Sequence, residues 1–211
     1  MYETGADVTG VLISRATGMS FGDALRERIC EPLGMKDTAF SVPAENIGRL
    51  ATAYQRDGDT DELTVEDAPG GRWSRPPLFE DGGGGLVSTL DDYFAFASAF
   101  LAGGKHRGER VLSRSSVSLM TCDQLTPTQK ALAWSPLQED IGWGFGMSVR
   151  TRRMNLGPSV GSYGWSGYGN VWYNDPLEDM TVILMSQRRD HPSRMPIRVD
   201  FVNAAYQAIE D

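Results

Sequence analysis

Hydrophobic periodicity changes character once along this chain, near Trp134, and that change sets the fold class. Ahead of it, apolar residues recur at helical spacing; behind it, they alternate or run together as in strands. Val8, Val11, Leu12 and Arg15-Ala16 give a first helix an apolar face, ended by Thr17-Gly18, with glycine suited to the left-handed position after a helix. Ser20 with Asp23 forms an aspartate variant of the capping box. Phe21, Leu25 and Ile29 stack on the helix it opens, and Pro32 and Gly34 stop it. Ser88 or Thr89 caps a third helix, with Asp91 and Asp92 near its positive end. Tyr93, Phe94, Phe96, Ala97, Phe100 and Leu101 predict that this helix is heavily buried before Gly103-Gly104 ends it. A short helix is expected from Ser113 or Ser115 to Cys122.

Beyond Trp134, Ile141–Val149 reads as one strand. Asn170–Tyr173 and Met180–Ser186 read as two more, joined by a turn at Asn174-Asp175-Pro176. The run Thr181-Val182-Ile183-Leu184-Met185 predicts a strand covered on both faces. Pro196 stands near the start of a closing helix with Val199, Val202, Ala205, Tyr206 and Ile209 on one face. Between Pro43 and Phe79 the pattern is weak; Gly70-Gly71, Trp73 and Pro76-Pro77 suit an ordered loop. Helices, then antiparallel strands, then a helix make an α+β fold: a mainly helical region over 1–133, and strands with the closing helix over 134–211.

Charge and cysteine usage exclude several function classes. The formal net charge is −8, so no basic stripe is available for phosphates and nucleic acid is not an expected partner. The clusters Arg150, Arg152, Arg153 and Arg188, Arg189 are too short to change that. Cys30 and Cys122 both fall in apolar helical patterns and read as buried hydrophobes, with a disulfide between them the alternative. No apolar run is long enough to span a bilayer, and no signal peptide is visible.

Catalytic chemistries can be sorted by what they require. A Ser-His-Asp triad needs a histidine, and the two present, His106 and His191, read as exposed loop residues. Gly164-Trp165-Ser166-Gly167-Tyr168 nearly matches a nucleophile elbow, but Tyr168 stands at the last glycine position and no helical pattern follows. Gly82-Gly83-Gly84-Gly85 lacks the Gly-Lys-Ser/Thr of a phosphate loop and reads as a backbone bend before a helix. The Cys, His and carboxylate residues have no metal-ligand spacing, so neither metal nor cofactor is expected.

A further hydrolase chemistry combines Ser-x-x-Lys, a tyrosine motif and a late strand motif with glycine. Tyr2-Glu3-Thr4-Gly5-Ala6-Asp7-Val8-Thr9-Gly10-Val11-Leu12-Ile13 resembles the tyrosine motif and following helix of the β-lactamase-related serine hydrolases. These include class C β-lactamases, DD-peptidases and family VIII carboxylesterases. Glu31-Pro32-Leu33-Gly34-Met35-Lys36-Asp37-Thr38-Ala39-Phe40 is similar to that family's PLGM-x-DT-x-F signature, and Gly84–Asp92 to its GGL-x-ST-x-x-D segment. Trp165-Ser166-Gly167 falls where the family's Lys/His-x-Gly strand motif stands. The resemblance implies a β-lactamase/transpeptidase-like fold, with an antiparallel sheet flanked by helices plus an all-helical region. It implies that Tyr2 acts in proton transfer, that the backbone N–H of Tyr168 is one oxyanion donor, and that Trp165, Ser166 and Gly167 line the substrate, a small ester or amide.

Two departures from the family pattern bear on function. Lys36, Lys105 and Lys130 are preceded three places back by Leu33, Ala102 and Pro127, so Ser-x-x-Lys is missing. In the family that motif lies upstream of the tyrosine, so the expectation is a chain lacking the N-terminal strands and nucleophile helix and inactive alone. It should also associate through exposed core surface, notably at Thr181–Met185 and the Phe94, Phe96, Phe100 face. Second, Trp165 replaces the basic residue that would pair with a substrate carboxylate. Tryptophan instead packs against an acyl chain or aromatic ester, so a carboxylesterase is favoured over a β-lactamase or carboxypeptidase. The alternative is a non-catalytic protein that uses the same cleft for binding or partner docking.

Overall fold

The computed structural model describes residues 4–57, 60, 62–132, 140–153, 156–189 and 196–209. They form two compact units. One comprises the described residues within 1–96, 107–111 and 187–189; the other comprises those within 97–106, 112–186 and 190–211. In chain order the helices are α1 (Thr4–Thr17), α2 (Phe21–Leu25), α3 (Glu31–Leu33), α4 (Leu90–Leu101), α5 (Arg114–Met120), α6 (Pro127–Leu132) and α7 (Pro196–Gln207). The strands are β1 (Ala53–Arg56), β2 (Leu63–Asp67), β3 (Lys105–His106), β4 (Glu109–Arg110), β5 (Ile141–Trp143), β6 (Ser148–Arg150), β7 (Tyr163–Gly167), β8 (Asn170–Asp175), β9 (Met180–Leu184) and β10 (Arg188–Arg189).

In the first unit, α1 ends where Gly18 takes φ +71°. Its buried position is Gly10, which a Phe21 ring approaches to within 3.2 Å of where a Cβ would stand. The apolar stripe read from sequence lies elsewhere: Val8 and Leu12 are 54% and 58% exposed. Ser20 caps α2 by accepting from the Asp23 N–H at 3.0 Å, one half of the capping box, while the Asp23 carboxylate accepts from the Ser20 hydroxyl at 3.0 Å. The helix read to run on to Pro32 instead passes through a π-helical turn, Arg26–Cys30, before α3. Pro32 has no N–H to close an i→i−4 bond, and the wider turn just ahead of it absorbs the mismatch.

Two of the segments that carry the resemblance, residues 31–40 and 84–92, meet in this unit. The Asp92 carboxylate, buried on α4, accepts from the Asp37 N–H at 2.7 Å and the Thr38 hydroxyl at 2.8 Å. Thr38 also bonds Ser88 at 2.8 Å, and Ala39 bridges Val87. These segments are therefore one hydrogen-bonded knot, which satisfies a buried carboxylate and fixes the entry to α4. In the glycine run, the N–H groups of Gly83 and Gly84 donate to Asp81, and that of Gly82 to Asp7. The loop is a bend held by the protein's own carboxylates. A hydrogen bond to Asp81 holds the Asp7 carboxyl above its ordinary value. The weak segment after Pro43 contains the β1–β2 hairpin, which β10 extends in parallel.

The second unit is built on a five-stranded antiparallel sheet in the order β5-β6-β7-β8-β9. The strand expected over Ile141–Val149 is a hairpin, β5 and β6, because Gly144 closes a turn with Met147. A Cβ at Gly144 would lie 2.1 Å from the Met120 carbonyl oxygen, so the chain must bend there around α5. Asn174 and Asp175 end β8 rather than forming the turn, which is 176–179. On one face of the sheet Val171 and Val182 pack against Val202 and Tyr206 of α7, with Tyr173 and Leu184 alongside. On the other, Tyr163 and Trp172 meet Phe100 of α4, with ring centroids 6.5 and 6.2 Å away. Strand β9 stands at a sheet edge with only Val182 buried, so the double cover expected from its apolar run is not found among the described residues. Helix α4 is also less enclosed than its composition predicts: Phe100 is buried but Phe94 is 51% exposed.

Ser113 caps α5, whose last residue is Met120, so Cys122 lies beyond the helix and is exposed. Cys30 is buried, and both thiols are free. Among the described residues no helix is long and apolar enough to cross a membrane.

Candidate active site

The strand motif lies on β7 and the turn that follows it. Gly164 precedes it because nothing else fits: a Cβ there would stand 2.0 Å from the Trp172 carbonyl oxygen and 2.8 Å from the Tyr173 Cα. The buried Ser148 hydroxyl donates to the Gly164 carbonyl at 2.8 Å from the opposite neighbour, β6. Side chains then alternate. Trp165 pairs with Trp172, Ser166 with Val171, and Gly167 with Asn170. Trp165 and Gly167 therefore share the face of Trp172, while Ser166 lies on the face of Val171, which carries α7.

The pair Gly167–Asn170 closes a two-residue hairpin, with Tyr168 at φ +51° and Gly169 at φ +84°. Positive φ at both central residues is the type I′ arrangement that matches strand twist. A tyrosine in that position is costly, and such strain collects at functional turns. Gly167 is exposed and does not have positive φ, and a Cβ there would meet only the Trp165 Nε1 at 3.8 Å. Glycine is thus not required there by the fold. The indole of Trp165 lies along the strand beside Gly167, next to the Tyr168 turn.

Buried polar groups at the far end of β8 support this hairpin. The Asn174 side chain donates to the Ala97 carbonyl at 2.7 Å and accepts from Thr181 at 2.8 Å. Asp175, 1% exposed, accepts from the Tyr206 hydroxyl at 2.6 Å and from the N–H groups of Ser159 and Leu177. Burial pushes its pKa up, but the Tyr206 and Ser159 hydrogen bonds outweigh that and hold it below the ordinary value. A carboxyl with a lowered native pKa stabilises the fold fully above its unfolded value of about 3.9, and that contribution is lost as pH falls through the native pKa. We expect Asp175→Asn to cost about 2–3 kcal/mol at neutral pH, from charge-assisted hydrogen bonds weakened at a buried site. In urea melts the gap to the unsubstituted protein should narrow below about pH 4. A gap independent of pH would contradict this assignment.

Tyr2 and His191 lie outside the described residues. His106 is not the exposed loop residue expected from its sequence: it is half-buried in β3, with Nδ1 3.0 Å from Ser98 Oγ of α4. Ser166 sits inside a strand followed by a hairpin, which rules out the strand-to-helix elbow. Among the described residues no Cys, His, Asp or Glu cluster is arranged to hold a metal.

One neighbour of the motif had no sequence signal. Trp143, the last residue of β5, sets its ring against Trp165 at 4.7 Å between centroids and 81°, edge to face. Contact across two non-adjacent strands follows from tertiary placement alone.

The Beta-lactamase family model matches residues 1–207. Protein Rv1367c of Mycobacterium tuberculosis is 38% identical over 194 residues, covering 88% of this chain and 48% of that protein. Esterase EstB of Burkholderia gladioli is 25% identical over 227 residues, covering 97% of this chain and 54% of the esterase. The solved structure of unliganded selenomethionyl simvastatin synthase (LovD) from Aspergillus terreus superposes with a TM-score of 0.79 at 22% identity, covering 97% of this chain and 55% of that one. The architecture is thus β-lactamase/transpeptidase-like, and the chain spans about half the length of the curated relatives it matches. By its match over nearly the whole sequence, this chain belongs to the Beta-lactamase family, a family of serine hydrolases.

Proposed function

We propose that these residues form the tyrosine and strand side of a carboxylesterase-like acyl-transfer site, with the nucleophile supplied from outside the 211 residues. The observation that carries this reading is Trp165, an indole in the position of the strand motif's basic residue, beside Gly167 and the Tyr168 turn. In this site the serine of a Ser-x-x-Lys segment attacks the ester carbonyl and passes its proton to the lysine–Tyr2 pair. The N–H of Tyr168 donates to the oxygen that becomes negative. The alcohol leaves with that proton, and water then releases the acid from the serine. An apolar indole offers no charge to a substrate carboxylate, which favours neutral esters over β-lactams and peptide C-termini. Since no Ser-x-x-Lys occurs in the sequence, the 211 residues are inactive alone on this reading.

The second reading is a non-catalytic binding or partner-docking protein. The exposure of Val8, Leu12 and Phe94 favours it, since apolar surface of this kind marks an interaction face. Turnover of p-nitrophenyl butyrate and nitrocefin by a polypeptide in which a Ser-x-x-Lys segment precedes the 211 residues separates them. The esterase reading predicts faster turnover of the ester. Faster turnover of nitrocefin would overturn the ester preference, and turnover of neither would leave the binding protein.

A further inference from the structure

We infer that Asp7 and Asp81 form a one-proton clasp: a single hydrogen held between their carboxyls ties the first turn of α1 to the glycine loop, and the tie tightens or slackens with the proton count on the pair. The inference stands apart from the acyl-transfer reading. Three consecutive amides bring the two side chains together. The Gly82 N–H donates to Asp7 at 3.1 Å, and the Gly83 and Gly84 N–H groups donate to Asp81 at 2.7 and 3.1 Å. Loop and helix meet there backbone to backbone, since a Cβ at Gly82 would stand 2.2 Å from the Ala6 carbonyl oxygen. In this seat the two carboxyls hydrogen-bond each other. An ionised carboxylate can only accept, so such a bond exists only while one of the pair keeps its proton.

The proton belongs to Asp7. The bond to Asp81 holds that carboxyl above its ordinary value, with burial and the Asp81 charge adding to it and the Gly83 and Gly82 amides opposing. Burial pushes Asp81 up, but the bond from Asp7, the Gly83 and Gly84 amides and the Arg72 charge outweigh it and hold Asp81 below. Arg72 is itself stacked on Trp73, 4.9 Å from the ring centroid, and the neighbouring Glu80 accepts from the Gly22 N–H at 2.7 Å. Glu3 lies outside the described residues. With a raised native value, Asp7 contributes stability fully below its unfolded value of about 3.9 and loses it as pH rises through the native one. Asp81, with a lowered native value, contributes fully above its unfolded value and loses it as pH falls through the native one. The clasp is therefore closed between the two native values. On the alkaline side both carboxyls are ionised and repel, while the glycine amides still hold each of them. The loop then re-seats on α1 rather than leaving it. Helix α1 starts at Thr4, two residues after Tyr2, and the glycine loop leads into α4. The proton count thus sets how firmly the start of α1 is held to that segment.

The test follows the 211-residue protein by carbon and proton–nitrogen NMR across the acid range. The Asp7 carboxyl carbon and the Gly82 amide are expected to move together in a step above about pH 3.9, and the Asp81 carboxyl carbon in a step below it. Asp81→Asn should bring the Asp7 step down to the ordinary range or lower. Hydrogen exchange at residues 8–12, whose amides bond neither carboxyl, reports the seating of α1. Corrected for its intrinsic pH dependence, their protection should fall about twofold or more across the upper step, the scale of one hydrogen bond in water. Asp7→Asn keeps the side-chain shape and donates an amide N–H to Asp81 at every pH. It should therefore lock the clasp and leave that protection flat over the same range. An Asp7 step in the ordinary range in the unsubstituted protein, a measurement that needs no variant to fold, would overturn the shared proton. Two steps as expected, with protection of residues 8–12 unchanged across the upper one or falling equally in Asp7→Asn, would overturn the clasp.

Discussion

Replacing Gly164 with alanine is expected to abolish the cooperative fold of the second unit, or to lower its melting temperature by about 10 °C or more. A methyl group at this position would stand 2.0 Å from the Trp172 carbonyl oxygen. The obstacle is backbone of the paired strand, so no rotamer change relieves it. Strand β7 must move off β8, breaking the ladder that runs from Tyr163–Asn174 to Gly167–Asn170. It would also strain the buried bond from Ser148 to the Gly164 carbonyl. Overpacking combined with lost ladder bonds reaches roughly 4 kcal/mol or more, the range reserved for specific mechanisms. For a chain of this size each kcal/mol is about 2–4 °C. Melting within about 2 °C of the unsubstituted protein would show that β7 and β8 do not approach as described.

What could be read in advance was what one segment decides for itself. Ser20 with Asp23, Ser113, Gly18 and Gly34 mark helix ends through bonds and backbone angles within a few residues, and each is found where its chemistry places it. What could not be read was decided from a distance. The break between β5 and β6 is imposed by the Met120 carbonyl against Gly144, twenty-four residues away in sequence. The solvent position of Val8 and Leu12 depends on what packs against α1, and their helical spacing is silent on that. The same division holds at the site. The residue types of Trp165, Ser166 and Gly167 name the motif, but only the register puts Trp165 and Gly167 on one face and Ser166 on the other. Trp143 enters through the sheet order, which no local pattern carries.

The second large effect separates folding from chemistry at a neighbouring glycine. Gly167→Ala should leave stability within about 0.5 kcal/mol, because the residue is exposed and lacks positive φ, and its new methyl meets only the Trp165 ring edge in ordinary contact. Yet that methyl projects on the Trp165 face, directly before the turn whose Tyr168 N–H the proposed mechanism uses. An ester carbonyl could no longer approach the strand closely enough for that hydrogen bond, and loss of one oxyanion donor costs about 10²–10³-fold. The most direct measurement is intact-protein mass after exposure to p-nitrophenyl butyrate. The mechanism predicts a butyryl group on the serine of Ser-x-x-Lys when that segment precedes the 211 residues, formation slowed about a hundredfold or more by Gly167→Ala, and no butyryl-serine on the 211 residues alone. Acylation at an undiminished rate in the Gly167→Ala protein, or on a serine of the 211 residues by themselves, would contradict it.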